Sequence, residues 1–444
     1  MQKNVNGLLV LYHHPAVTNA STIMEHVHAF EKHSRFRAWS FNTDVGFPAS
    51  LRRLRFSAVV LHYSLFGPQN YPLDDYYLSY LESTGSYKIA FFQDEHHYCR
   101  DRFAFLDRYA IDCVYTLLEP EYWPLVYGKY TSVPKLVYGI PGYVSDELVR
   151  LAGQFAKPDE QREIDVGYRG RTLRPYMGRG SQEKAEIGTR FLEHARDSGL
   201  KLDIAVDEES RIYGDAWFEF LANCRAVLGT EAGVSIFDVE DVVRIEYERL
   251  TAENPSLGFE ELSEQLLDAW EDNIYYRTVS PRHFEAAALR VCQILFEGEY
   301  SGILRPMVHY IPLKKDYSNV DEVLRRFRDA SIRRQLTENA HGDLIASGEY
   351  TYRRFIDSFD DELVAAGLQP ALDERLADRV SAALAGDKRH LIRISRFDEW
   401  VHRPFPGRRA FSFVLHPIVK RARGLYRKLK YRRFRRRLVS EPEN

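Results

Sequence analysis

The sequence has few of the residues that define several common protein classes. Among its 444 residues there are only four cysteines, Cys99, Cys113, Cys224 and Cys292, and no CxxC pair. Such spacing argues against a disulfide framework and against a zinc knuckle. No segment approaches the ~20 apolar residues of a membrane span, and the apolar run at 7–12 is too short for a signal peptide. We therefore expect a soluble or peripheral protein of a reducing cytosol.

Catalytic motifs of several large enzyme classes are missing as well. No GxSxG motif, P-loop lysine or GxGxxG motif follows a strand in the context that each requires, which disfavours hydrolase, kinase and dinucleotide-binding functions. Asp94, His96 and His97 come nearest to a metal site. Adjacent histidines on an extended chain point to opposite faces, however, and no third spaced ligand accompanies them. We expect no bound metal and no cofactor.

The composition provides ample material for large cores. Hydrophobic residues make up 45% and aromatic residues 13% of a chain that exceeds one ordinary domain, so two domains are expected. The formal net charge of −3 conceals a strong asymmetry, because residues 420–437 contain eleven Lys or Arg and no acidic residue. The remainder carries about −14. We expect the body and this basic tail to bind different partners.

Strand-like and helix-like segments alternate along the chain. This alternation favours parallel sheets, because parallel strands need crossovers of about a dozen residues. Residues 1–155 are predicted to form a first domain, 156–163 a linker, and 164–366 a second domain that ends in helices at 319–328, 331–347 and 351–366. Earlier helices are predicted at 21–33 in the first domain and at 215–223 in the second. Strands of the first domain are predicted at 8–12, 37–41, 58–62, 89–92, 113–116 and 136–138. The predicted fold is α/β, with two Rossmann-like domains facing across a cleft.

An acidic segment, 238–275, interrupts the second domain. Twelve acidic residues and two basic ones lie between residues 238 and 272, while the apolar residues keep a helical spacing. We predict an inserted helical pair with a solvated acidic face; a clamp for a metal or a basic ligand is the alternative. Residues 367–444 are predicted to form carboxyl-terminal helices and the basic tail.

Residues 280–316 contain the most informative motif. An alanine-rich helix carries Glu285, a strand follows, and the glycine-containing loop FEGEYSG comes after that strand. The stretch FEAAALRVCQIL resembles the group 1 glycosyltransferases of GT-B fold, in the divergent branch of spore-maturation-type transferases. In that family a Glu opening this helix contacts ribose or sugar hydroxyls. The resemblance implies that Glu285 has this role and that the loop residues Gly298, Ser301 and Gly302 bind the donor.

The resemblance also implies a basic donor site. The family places basic residues just after the first strand of this domain to neutralise pyrophosphate, and Arg169, Arg171 and Lys184 follow that strand here. A leaving nucleoside diphosphate develops negative charge, which charge-assisted donors and helix amino termini stabilise without a required metal. The implied activity is a metal-independent, hexosyltransferase-like transfer that retains the anomeric configuration.

The sequence departs from the family pattern in two places. Family members often carry two glutamates seven residues apart, whereas the nearest earlier analogue here is Glu231, in LGTEAG, which we predict as a further catalytic residue. The small residue or glycine that usually follows the second Glu is replaced by Leu289 and Arg290. Structural interpretations stay open for the donor side: Glu285 as a carboxylate at a helix amino terminus, Glu231 as a capping residue, and the basic residues as surface ion pairs.

Polar residues also follow two strands of the first domain. His13 follows the first strand, and Asp94, Glu95 and His96 follow the fourth, at the edge where open α/β sheets place ligands. In GT-B enzymes an amino-domain acid or histidine faces the acceptor hydroxyl. We therefore predict Asp94 and His96 as catalytic residues and His13 and Glu95 as acceptor-binding residues. A purely structural role is the alternative for each.

The segment 410–438 joins an apolar stretch to the basic tail. This combination suits an anionic membrane surface, where each nearby Lys or Arg contributes roughly 1 kcal/mol; a solubilising tail is the alternative. No nucleic-acid partner is expected, because the body is acidic and no recognition module is present.

The sequence thus predicts a cytoplasmic glycosyltransferase, peripheral on the inner membrane face. It would move a sugar from a nucleotide-sugar donor to a glycan or lipid-linked acceptor in cell-surface polysaccharide or glycoconjugate synthesis. Alternatives are a non-catalytic nucleotide- or glycan-binding protein with a degenerate fold, and a polyanion-binding scaffold.

Overall fold

The computed structural model describes residues 2–15, 21–67, 71–371 and 373–402 and contains two parallel sheets. The strands of the first sheet are β1 (Lys3–Tyr12), β2 (Ala38–Asn42), β3 (Leu54–Leu61), β4 (Tyr87–Phe91), β5 (Cys113–Thr116) and β6 (Lys135–Tyr138). They lie in the order β2-β1-β3-β4-β5-β6, all parallel. The helices of this part are α1 (Ser21–His33), α2 (Asp75–Ser83), α3 (Cys99–Arg108), α4 (Tyr127–Tyr130) and α5 (Asp146–Phe155).

The second sheet repeats the same order of strands, beginning at β7. The remaining strands are β7 (Ile164–Arg169), β8 (Leu202–Ala205), β9 (Cys224–Gly229), β10 (Ala232–Val234), β11 (Tyr276–Thr278), β12 (Cys292–Phe296) and β13 (Ile311–Leu313). Five of them form the parallel sheet β13-β12-β9-β7-β8, and β10 pairs with β11 in an antiparallel hairpin. The chain thus turns to opposite sides of β7, which makes the carboxyl end of β7 a switch point where ligands bind in such sheets.

Helices surround the second sheet and continue beyond it. They are α6 (Arg179–His194), α7 (Asp215–Asn223), α8 (Val242–Glu253), α9 (Phe259–Leu262), α10 (Pro281–Ala288), α11 (Val320–Arg328), α12 (Ala330–His341), α13 (Tyr352–Ala365) and α14 (Glu374–His402). Single π-helical stretches, Ser263–Leu267 and Gly342–Ala346, extend α9 and α12. None of the helices in the described ranges is both long enough and apolar enough to cross a bilayer.

Both faces of the first sheet are buried, and β1 shows why its sequence is a continuous apolar run. Leu8 and Val10 pack into one core and Leu9 and Leu11 into another, and all four are fully buried. A parallel strand covered on both faces needs apolar side chains at every position rather than at alternate ones. The predicted α/β architecture with two parallel sheets is confirmed.

The last helix of the predicted second domain lies elsewhere. We predicted that 351–366 completes the second domain, but α13 packs against the first sheet, where Phe355 and Phe359 join the core around β1, β3 and β4. Buried Asp360 accepts hydrogen bonds from the Ser34 hydroxyl at 2.7 Å and from the Arg35 amide at 2.5 Å, both just after α1. The chain therefore returns to the first domain at α13.

The acidic segment forms the predicted helical pair, α8 and α9, but it is also anchored on the first domain. Phe237 and Ile274, at its two ends, belong to the same core as β1 and β3. On its outer side Arg249 bridges Glu246 and Glu253 in exposed ion pairs, as expected for a solvated acidic face. The four cysteines are free and buried. The basic tail, 420–437, and the whole of 410–438 lie outside the described residues.

Candidate active site in the interdomain cleft

Two cavities lie at the carboxyl ends of β7 and β9. Cavity A encloses about 330 Å³ between β7, β9, α6 and the start of α10. Cavity B encloses about 360 Å³ between α7 and α10 of the second domain and α1 and α5 of the first. Both volumes fall in the usual range of small-molecule sites, about 300–1,000 Å³. The cavities share a set of lining residues, Arg169, Arg211, Trp217, Ser280 and Arg282.

Arginines therefore mark the junction of the two cavities. Arg282, in the first turn of α10, is exposed, donates to the main-chain carbonyl of Arg169, and holds its guanidinium 4.8 Å from the centre of the Trp217 ring. The Arg169 side chain is more constrained. Its guanidinium donates to the Asp203 carboxylate at 2.7 Å and lies 4.3 Å above the Phe220 ring. Some of its N–H groups are therefore already used within the second domain and are not free for a ligand.

Lys184 and Arg171 add positive charge to cavity A. Burial is the main reason that the pKa of Lys184 falls to about 8, and the nearby Arg171 lowers it further, while Asp94 acts in the opposite direction. Within the described part of the chain, the Lys184 amine has one weak hydrogen bond, 3.4 Å to the Gly233 carbonyl. Arg171 is exposed and has no hydrogen-bond or ion-pair partner among the described residues. Both cations are thus available to an anionic ligand.

The amino terminus of α6 is already occupied. In many α/β folds the helix after the first strand binds phosphate through its free amides. Here Glu271, from the acidic segment, accepts from the Arg179 amide at 3.1 Å, and the Ser235 hydroxyl accepts from the Gly180 amide at 2.8 Å. An anionic ligand in cavity A would consequently be held by arginine and lysine side chains rather than by this helix end.

Glu285 lines cavity B rather than cavity A. The Trp217 indole N–H donates to its Oε2 at 2.7 Å, and Oε1 has no hydrogen-bond partner among the described residues. Burial raises the pKa of this carboxyl, and the Trp217 bond partly offsets that effect. One carboxylate oxygen is therefore free to accept from a hydroxyl group in cavity B.

Glu231 lines cavity A and organises the loop that follows β12. It accepts from the amides of Glu299 at 3.1 Å and Tyr300 at 2.7 Å and from the Tyr275 hydroxyl at 2.9 Å. A Cβ at Gly298 would lie 2.5 Å from Glu231 Oε2, so any larger residue there would require this carboxylate to shift. Burial raises the pKa of Glu231, and these hydrogen bonds lower it.

The rest of this loop faces the hairpin rather than either cavity. The Ser301 hydroxyl pairs with that of Thr278 at 2.8 Å. Neither Ser301 nor its neighbour Gly302, nor Gly298, lines cavity A or B. The predicted loop residues are therefore brought close to the site through Glu231, not through direct lining contacts.

The four polar residues predicted on the first domain have different surroundings. Asp94 is exposed and its carboxylate has no partner in the described ranges, while its charge acts on Lys184 across the cleft. His96 is only 4% exposed, stacks on His97, and has both ring nitrogens buried without a hydrogen bond. Burial lowers the pKa of His96 to about 3, so it is neutral. Asp94 is thus the exposed member of the two predicted catalytic residues, and neither Asp94 nor His96 lines cavity A or B.

Glu95 and His13 have structural surroundings. Glu95 is 2% exposed and accepts from the Thr116 hydroxyl at 2.7 Å, the Leu117 amide at 2.8 Å and the Tyr127 hydroxyl. The Tyr276 hydroxyl, from β11 of the second domain, donates to the same carboxylate at 3.3 Å. Glu95 thus joins neighbouring elements of the first domain and also contacts the second. The His13 amide donates to the Ser64 hydroxyl at 2.9 Å, and burial lowers the pKa of its ring. Neither residue lines cavity A or B.

Arg211, Trp217 and Arg282, which line both cavities, are among the residues not predicted from the sequence. Arg282 stands three residues before Glu285, one turn away on the same helix, and this spacing was an available signal. Trp217 and Arg211 belong to another part of the chain, and no motif marks them. Within the described ranges, no group of three or more His, Cys, Asp or Glu side chains is placed to hold a metal ion.

No protein-family model and no curated protein matches the sequence. Among solved structures, the chain is similar to an alpha-glucosyltransferase in complex with UDP-glucose and DNA containing an abasic site, with 10% identity and a TM-score of 0.49, over 82% of this chain and 100% of that chain. HepE of Anabaena in complex with UDP matches with 8% identity and a TM-score of 0.45, over 81% and 100%.

TarM is also similar, with 11% identity and a TM-score of 0.38 over 69% of this chain. The match covers 54% of TarM, so this chain spans about half of its length. Identities near 10% and TM-scores below 0.5 do not assign an activity to this chain. Its activity is inferred from its own residues.

Proposed function

We propose that this protein is a glycosyltransferase that moves a sugar from a nucleotide-sugar donor to an acceptor hydroxyl in the interdomain cleft. The observation that carries the proposal is the junction of cavities A and B at Arg169, Arg211 and Arg282. A nucleotide sugar has two polar, uncharged ends and an anionic diphosphate between them. Two cavities joined by arginines have the matching arrangement.

The carboxylates at either side of the junction fit the two ends of such a donor. The free oxygen of Glu285 in cavity B suits the hydroxyl groups of a ribose, and the buried Glu231 in cavity A lies where the transferred sugar would be. Carboxylates are strong acceptors for hydroxyl donors in sites shielded from water. We therefore place the nucleoside in cavity B and the sugar in cavity A.

The cations supply the chemistry of the leaving group. As the bond between the anomeric carbon and the diphosphate oxygen breaks, negative charge develops on that oxygen, and Arg171, Lys184 and Arg282 are placed to stabilise it. These side chains provide positive charge of the kind that a divalent cation supplies elsewhere, so the proposed step needs no metal. Retention of the anomeric configuration remains part of the proposal and is supported by the sequence resemblance.

Asp94 is the proposed residue of the acceptor side. The acceptor oxygen forms the new bond to the anomeric carbon, and its proton passes to the Asp94 carboxylate, which is exposed and whose negative charge acts on Lys184. We propose a glycan or a lipid-linked glycan as the acceptor, in the synthesis of surface polysaccharide or glycoconjugates. The basic tail at 420–437, which suits an anionic membrane surface, supports this class.

The test combines binding with turnover. UDP, GDP, ADP and CDP, and their glucose and N-acetylglucosamine derivatives where these exist, are titrated by calorimetry, and donor consumption is then followed. Arg282→Met should weaken diphosphate binding about 10- to 100-fold, because a hydrogen bond to a charged group contributes about 1.5–3 kcal/mol. Arg290→Met is the matched control: it lies just after α10, outside both cavities, and pairs with Glu338 on the surface.

Three outcomes are distinct. Binding that depends on Arg282 together with sugar transfer supports the proposal. Binding without any donor consumption, even with crude glycan and lipid extracts as acceptors, indicates a non-catalytic nucleotide-binding protein. Failure of every nucleotide to bind, or equal losses in Arg282→Met and Arg290→Met, contradicts the placement of the donor.

A further inference from the structure

The segment 93–98, called the 93–98 loop, follows β4 and carries Asp94. Its end is strained: Tyr98 has a φ of 54°, in the left-handed region, and forms the amino-terminal boundary of α3 without a side-chain cap. A non-glycine residue keeps this conformation only where its surroundings enforce it, and such residues are concentrated at functional sites. The conformation of the loop is thus enforced by contacts with the rest of the protein and not by the local backbone preference of its residues.

The second domain holds this loop at three main-chain groups. The contacts join the Tyr276 hydroxyl to the Gln93 carbonyl, the Asp238 amide to the His96 carbonyl at 2.8 Å, and the Tyr98 amide to Asp241 Oδ1 at 2.6 Å. All three partner residues are buried, with exposed fractions of 4% for Tyr276 and 2% for each aspartate. Bonds shielded from water in this way persist through ordinary fluctuations.

The partners are themselves firmly placed. Asp238 accepts from the amides of Val243 and Arg244 at the start of α8, at 3.2 and 2.8 Å. Asp241 has a left-handed φ of 58°, so two strained residues, Asp241 and Tyr98, meet through one hydrogen bond. The Tyr276 ring packs in the core of the first domain. The acidic segment and its hairpin therefore form a rigid connection to the 93–98 loop.

We propose that Asp241 and Tyr276 are positioning residues that fix the 93–98 loop to the second domain, so that Asp94 keeps its position relative to that domain, and to Lys184 in it, throughout the catalytic cycle. This inference rests on the proposed function, because it assigns Asp94 to the acceptor side of that reaction. Its consequence is that the acceptor-side carboxylate moves with the donor domain. Donor binding and release then occur without separation of Asp94 from Lys184.

Hydrogen exchange of the free protein tests the connection directly. Asp241→Ala removes the acceptor of the Tyr98 amide and should speed exchange of that amide at least about tenfold. Asp241→Asn keeps an acceptor oxygen and should restore protection. The matched control is Glu240→Ala, which breaks interdomain contacts to Tyr130 and Arg100 on the same segment without touching the 93–98 loop. Unchanged Tyr98 exchange in Asp241→Ala would overturn the inference.

Kinetics supply the readout that a merely structural role would not change. With whichever nucleotide sugar the wild type consumes, Asp241→Ala and Tyr276→Phe should lower kcat about 10- to 100-fold while the affinity for the nucleoside diphosphate stays within about twofold, since small misplacement of a reacting group is costly. Asp241→Asn should recover most of kcat.

An active wild type with unchanged kcat in both variants overturns the positioning role. A wild type that binds no nucleotide refutes the proposed function, and the exchange experiment then still decides whether the loop is fixed.

Discussion

Lys184 should give donor binding a measurable pH dependence. Its pKa in the free protein is about 8, lowered from 10.5 chiefly by burial. A bound diphosphate brings negative charge to the amine and raises that pKa, so the protonated form binds more tightly. The affinity for a nucleoside diphosphate is therefore highest below pH 8, where Lys184 is protonated, and falls as the pH rises through that value.

The size of the effect follows from the titration. Between the pKa of the free lysine and that of the complex, the binding constant falls about tenfold for each pH unit, which is about 1.4 kcal/mol. At pH 9 the affinity for a nucleoside diphosphate should be about tenfold weaker than at pH 7. The terminal phosphate, with a pKa of about 6, is already ionised over this range and contributes little slope.

Calorimetric titration from pH 7 to 9.5 provides the assay. Lys184→Arg keeps the charge and should abolish the slope, whereas Lys184→Met should bind weakly at every pH. Lys157→Met is the control, because that lysine is exposed, bonds Asn223 and lies outside both cavities. A wild-type affinity that is flat across this range, or a slope that survives in Lys184→Arg, would refute the role of this lysine.

Further predictions concern the carboxylates and the tail. Glu285→Gln should lower kcat/KM for the donor about 10- to 100-fold, through loss of a charge-assisted hydrogen bond, whereas Glu338→Gln on the surface should not; equal kinetics in the two variants would count against the ribose contact. Gly298→Ala places a Cβ against Glu231 and should destabilise the protein by about 1–3 kcal/mol in denaturant unfolding, and an unchanged midpoint would show that the contact relaxes. Truncation after residue 407 should abolish sedimentation with anionic liposomes, and equal sedimentation of both forms would remove the membrane hypothesis.

Much of the fold could be predicted because apolar runs and helical periodicity are local properties. The predicted strand 113–116 and the predicted helices 21–33 and 215–223 coincide with β5, α1 and α7. The sheet against which α13 packs could not be predicted in this way. Its apolar face shows that it is buried, but the sequence does not specify which of two similar sheets covers it.

The hairpin of β10 and β11 was missed for a related reason. Each strand has only three residues, and Gly233 in the middle of β10 has a φ of 94°. Such a short segment with a central glycine is equally typical of a loop. The pairing depends on the acidic segment bringing residues 276–278 back beside 232–234. That return is a tertiary event with no local signal in either strand.

At the site, the motif around Glu285 predicted a helix that begins at this carboxylate, whereas α10 begins at Pro281 and carries Glu285 in its second turn. Arg290, where the family has a small residue or glycine, adopts a φ of 50°, so the backbone keeps the conformation that glycine favours. The polar residues at 94–96 show the limit of such reasoning. Asp94 and Glu95 are adjacent, yet one is exposed and the other is buried among hydroxyl donors. Which of them faces the cleft depends on a turn held by the other domain.

The most direct test of the central claim is an experimental structure of the protein with the nucleoside diphosphate that binds best. The account predicts the nucleoside in cavity B, with a ribose hydroxyl on Glu285, and phosphate oxygens within hydrogen-bond distance of Arg282 and Lys184. A diphosphate bound away from the junction of the two cavities, or a nucleoside in cavity A, would contradict it.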